Sequence, residues 1–162
     1  ESSEVGLTMA CYGVGMIVGS LMAARIVSLM PFGMAILLGP FFSVLAAIVM
    51  ALTICLPFVS LAGLAFFLFG FGPIIWTITS TTLRQSVAPN TMMGRVTAIN
   101  IVTGTGARPL GALIGGFVGE FGSDLLGLLV VVLGFTVQAI IISCSEVRHI
   151  QSAEQEAHQL DL

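Results

Sequence analysis

Residues 104–116 read Gly104-Thr105-Gly106-Ala107-Arg108-Pro109-Leu110-Gly111-Ala112-Leu113-Ile114-Gly115-Gly116, which sets a permanent cation and a proline inside an apolar, glycine-rich run. If that run crosses a bilayer, Arg108 lies far from bulk water. It must then face protein, substrate or a wet cavity, because lipid does not solvate a guanidinium. The chemistry on offer is electrostatic, the binding of an anion or of a carbonyl freed elsewhere. Asn100 lies eight residues before Arg108, Gly104 four before and Gly111 and Gly115 three and seven after, so at helical spacing the neighbours of the cation are polar or small. Trp76, with Thr77, Thr79 and Gln138, adds polar or aromatic candidates in other apolar runs.

No catalytic group is expected. Cys11, Cys55 and Cys144 have no paired spacing and no histidine near enough for a metal site, so they read as small hydrophobes. His149 and His158 fall in a polar tail. No cluster of His, Asp, Glu or Cys lies at membrane depth, so neither metal nor acid–base chemistry is anticipated, and no cofactor. Gly13-Val14-Gly15-Met16-Ile17-Val18-Gly19 superficially matches a dinucleotide-binding loop, but no strand precedes it. Gly15 and Gly19 instead make a small-xxx-small face on which another helix can come close, and Gly111, Gly115 and Gly116 read the same way.

The elements that must position Arg108 follow from composition. The chain of 162 residues is 57% hydrophobic and 8% charged, with a mean hydropathy of +1.10. A soluble domain carries roughly a quarter charged residues. The predicted class is therefore an all-α membrane protein, a polytopic helical bundle. Windows near 20 apolar residues, the length that spans the hydrocarbon, fall at about 5–24, 33–53, 58–82, 92–118 and 125–144, giving a bundle over 1–145 and a polar tail over 146–162. Ser3 is the expected cap of the first span, Asn90 or Thr91 of the fourth, and Pro57 suits the first position of the third. Pro73 and Pro109 fall near the middle of the third and fourth spans, where each removes a backbone donor. Paired interruptions at mid-membrane depth are the pattern by which transporters build a site.

Charge orients the bundle. With five alternating spans, Arg25, Arg84, Arg95 and Arg148 fall on one side and Glu1, Glu4, Glu120 and Asp124 on the other. The positive-inside bias then puts the C-terminus in the cytoplasm. The net charge of −3 suggests no nucleic-acid partner. Glu1 is not an initiator methionine and no basic region precedes the first run, so no signal peptide is expected and the chain reads as a piece of something longer.

Arg84-Gln85-Ser86-Val87-Ala88-Pro89, then Gly94-Arg95-Val96, then Arg108-Pro109-Leu110-Gly111 resembles the tenth-to-eleventh-helix region of the major facilitator superfamily, and Tyr12 to Ser20 resembles its eighth helix. The likeness is greatest to the branch of macrolide-efflux and enterobactin-exporter-like proteins. It implies that the spans are helices eight to twelve of a proton-coupled exporter of small organic molecules in the cell (inner) membrane. It further implies that Trp76, Asn100 and Arg108 border a central cavity and that Gln85, Gly94 and Arg95 form a cytoplasmic gate. Two departures stand out: the turn after the first span keeps only Arg25 of the family's charged pattern, and Arg108-Pro109 stands where an antiporter-type glycine-proline would be expected in the equivalent helix of the other half. An N-terminal half and a seventh helix are also absent, so this chain alone is not expected to transport. The alternatives are a non-transporting membrane partner or assembly subunit, and a membrane-embedded enzyme, which has no residues to run it.

Overall fold

The computed structural model describes residues 2–87 and 91–145. The tail over 146–162, with Arg148, His149 and His158, lies outside the described residues, as do Glu1 and the segment Ala88, Pro89 and Asn90. Five helices account for nearly all of the rest: α1 (Ser2–Leu29), α2 (Phe32–Leu52), α3 (Val59–Val87), α4 (Met93–Phe121) and α5 (Asp124–Cys144). Each is long and apolar enough to span a membrane. Helix is the form such sequences must take in hydrocarbon, because it satisfies every backbone donor and acceptor within the segment.

The five helices overlap the five hydropathy windows, but their ends differ. α1 already begins at Ser2, so Ser3 is a helical residue and not the cap. Pro57 precedes α3 by two residues instead of opening it. α4 starts after Met92, which offers no side-chain cap, and Thr91 sits in the turn before it. α3 runs on through Arg84, Gln85 and Val87, so half of the expected polar loop is helix. A hydropathy window stops at the first charge, whereas a helix in an interface continues until its hydrogen bonding is interrupted. The cap that the structure does hold is Ser123, whose hydroxyl accepts from the Leu126 amide at 3.3 Å, with Asp124 in the first turn of α5.

α3 is the hub. α1 and α2 each pack along it, α2 also packs on α5, and α4 lies against α5. Close approach is built from small residues: Ala23, Ala35, Ala46, Ala47 and Ala65 are buried with Ile75 and Thr79. On the α1 side a Cβ at Gly15 would run into the Phe67 carbonyl, and one at Gly70 into the Tyr12 carbonyl, so each backbone occupies the other's missing side chain. On the α2 side Gly39 and Gly72 do the same, the Gly72 carbonyl lying 3.1 Å from an added Cβ at Gly39. The buried hydroxyls satisfy themselves within their own helices: Thr79 Oγ1 donates to the Ile75 carbonyl at 2.8 Å and Ser43 Oγ to the Gly39 carbonyl at 3.0 Å. An edge-to-face pair, Phe42 on Phe71, fills the crevice between α2 and α3.

Candidate functional site

Arg108 stands in the middle of α4, thirteen residues from Arg95. At 1.5 Å per residue that is roughly 20 Å along the axis, beyond what a side chain can span by snorkelling. It is solvent-accessible, as are Asn100, Gly104, Gly111 and Gly115. Among the described residues no acidic side chain pairs with it. In hydrocarbon an unpaired arginine costs roughly 2.5–3.5 kcal/mol on insertion scales. This face of α4 therefore belongs against protein or water.

The α4 helix continues through Pro109 and α3 through Pro73. Each proline withholds a donor from the carbonyl four residues before it, Phe69 in α3 and Thr105 in α4. In the turn after Pro73, Thr77 Oγ1 donates to the Pro73 carbonyl at 2.8 Å, one of several hydroxyls that are turned back onto their own helix.

Trp76 is placed differently from Arg108 and Asn100. Its Cβ lies against Gly39, so the indole starts from the seam between α3 and α2 and is half-buried there. α3 and α4 share no extended interface among the described residues, and Trp76 is not gathered with Asn100 and Arg108 on one wall. At the other end of the connection, Gln85 is exposed in the last turn of α3, and Gly94 and Arg95 are exposed in the first turn of α4. These three flank the same short link and share one end of the bundle.

Hydropathy did not reveal two hollows. One is an apolar groove of about 670 Å³ between α2 and α5, lined by Leu38, Phe41, Val44, Thr136 and Ile140 among others. Its hydroxyls are turned away: Thr136 Oγ1 donates to the Val132 carbonyl at 2.7 Å and Ser143 Oγ to the Ala139 carbonyl at 2.6 Å. It offers only hydrocarbon contact. The other, about 460 Å³ between α1 and α3, brings Cys11 beside Gly63 and Phe67. Both depend on how far apart neighbouring helices stand, which no residue spacing within one helix specifies. Among the described residues no group of three or more His, Cys, Asp or Glu could hold a metal ion.

Comparison with known proteins adds one finding. A family model described as "Transmembrane secretion effector" matches residues 1–161. No curated protein and no solved structure matches the chain.

Proposed function

Because the chain belongs to the transmembrane secretion effector family, a family of transporters of major-facilitator type and not of enzymes, we propose that it is the C-terminal part of a secondary active exporter. The exporter moves small organic molecules out of the cell in exchange for protons, by rocking two helical halves about a central site. The observation that carries the reading is Arg108, a fixed cation at mid-span on a helix whose polar and small face is open. A guanidinium there attracts an anionic substrate group or a carboxylate of the other half, and an alternating site needs such a group where both sides can reach it in turn. Asn100 lies eight residues nearer the cytoplasmic end of the same face and extends it. Trp76 enters as a cavity residue only if its ring turns out of the α2 seam when the halves move.

Gln85, Gly94 and Arg95, which flank the link between α3 and α4, form the cytoplasmic gate in this proposal. The cell inner membrane is the location and the C-terminus is cytoplasmic, on the charge distribution of the loops. The missing N-terminal half of the same transporter, the bilayer, the substrate and protons are the partners.

The test is efflux from cells expressing the full-length protein with Arg108→Ala and Arg108→Lys. Loss of at least roughly tenfold in the alanine variant is expected, equivalent to about 1.4 kcal/mol, with partial recovery in the lysine variant, which keeps the charge but not the planar fork. Full efflux in both removes Arg108 from the mechanism. The competing reading, a non-transporting membrane partner, is favoured by the same open face of α4. It predicts a start codon beside Glu1 and no efflux under any condition.

A further inference from the structure

The groove between α2 and α5 occupies only part of the length of either helix. On α2 its lining runs from Met34, the third residue of the helix, to Val44, the thirteenth. On α5 it runs from Thr136, the thirteenth residue, to Cys144, the last. The ten residues from Met34 to Val44 rise roughly 15 Å along the axis, half of the roughly 30 Å of hydrocarbon that a span crosses. The groove thus reaches from one membrane surface to the mid-plane and stops, which is the depth of a single leaflet.

Packing fixes the surface on which it opens. α1 and α3 run parallel, since Cys11 lies beside Gly63, Gly15 beside Phe67 and Gly19 beside Phe71, whereas α2 runs against α3, with Gly39 beside Trp76 and Phe42 beside Gly72. The start of α2 therefore lies at the same end of the bundle as the ends of α1 and α3, and the shared lining brings the end of α5 there too. Arg25, four residues before the end of α1, and Arg84, three before the end of α3, stand at this end. Glu4 and Asp124, in the first turns of α1 and α5, stand at the other. The mouth of the groove is on the basic side.

The lining has nothing for a polar ligand. Leu37, Leu38, Phe41, Val44 and Ile140 supply hydrocarbon, and the Thr136 and Ser143 hydroxyls are engaged by carbonyls of their own helix. Phe41 and Ile140, on the two walls, are 62% and 56% exposed, so the groove is open along its side. Its volume of about 670 Å³ suits a single small ligand, for which roughly 300–1,000 Å³ is usual. A spanning helix, about 10 Å wide and 30 Å long, displaces roughly 2,400 Å³ and would cross both leaflets, where the groove follows only one. We infer that the groove holds one acyl chain of an anionic phospholipid from the leaflet on the basic side, its headgroup at the mouth. Basic residues at a membrane surface attract anionic headgroups, and the chain fills the volume that α2 and α5 leave between them.

The inference needs the helices to lie in a bilayer and nothing of transport, so loss of efflux and loss of lipid are read separately. The experiment uses the full-length protein in phosphatidylcholine vesicles containing a small fraction of phosphatidylglycerol whose acyl chain carries a diazirine. After irradiation, mass spectrometry of peptides locates the label. Labelling within 34–44 and 136–144 several-fold above that at Ile48, Leu133 and Ile141, exposed residues of the same helices outside the groove lining, is the expected result. Moving the diazirine to phosphatidylcholine should lower the groove labelling several-fold. Ala139→Phe, which puts a ring into the groove, should bring that labelling down to the level of the controls, while Ile141→Phe should retain it. Equal labelling of groove and control residues in the parent protein overturns the inference. So does a groove without label because protein covers it, or equal labelling by the two lipids, and none of these three outcomes depends on a variant that folds.

Discussion

Gly15 and Gly70 illustrate how little in this bundle depends on polar bonding between helices. At each, the backbone of the opposite helix takes the place of the missing Cβ: a Cβ at Gly15 would meet the Phe67 carbonyl and one at Gly70 the Tyr12 carbonyl. In hydrocarbon, where apolar contact between helices gains little over contact with lipid, such close backbone packing holds helices together. Gly15→Leu or Gly70→Val should therefore loosen α1 from α3, at about 1–3 kcal/mol each by analogy with overpacked cores. Gly116→Ala, at an open position of α4, should leave stability unchanged. Thermal unfolding in detergent compares the three. A Gly15→Leu protein that unfolds with the parent would show that the α1–α3 seam contributes nothing. Arg108 is the opposite kind of residue, important for its charge and not for its volume, so its variants should change efflux without shifting that unfolding curve.

At the scale of the element, helix ends carry most of the differences between expectation and structure. Pro57 lies outside α3 and Ser3 inside α1, while Ser123 closes the amino end of α5. Serine followed by an acidic residue and an apolar run is a capping signal visible without coordinates. Ser123→Ala should lower stability by about 1 kcal/mol, with Ser123→Asp restoring it, since both side chains accept from the Leu126 amide. Equal melting temperatures for parent and alanine variant would mean that water satisfies that amide. Within the spans, Pro73 and Pro109 stood out as helix interruptions; both helices nevertheless persist through them, as membrane helices do when hydroxyls and neighbouring helices take up the freed groups.

For the whole molecule, orientation is the quantity to measure. A reporter fused after Leu162 should be active in its cytoplasmic form and one inserted at the link of Gly122 and Ser123 in its external form, because the basic residues gather at the ends of α1 and α3 and at the start of α4. The reverse pattern would invert the gate assignment of Gln85, Gly94 and Arg95 along with the topology.

The class and the five long apolar helices were legible in the chain alone, because the bilayer imposes a length and an apolar composition on every segment that crosses it, and both are local properties. The conspicuous residues were legible for the same reason: Arg108 stands out against its own neighbours. Which helix lies against which is not a local property. Gly15, Gly19, Gly111 and Gly115 look alike in the sequence, yet the first two are closed by α3 and the last two are open. That the Cβ of Trp76 lies against Gly39 in the α2 seam is likewise not readable from its neighbours in the chain. Those distinctions come from distances between helices far apart in the chain, which only the tertiary structure decides.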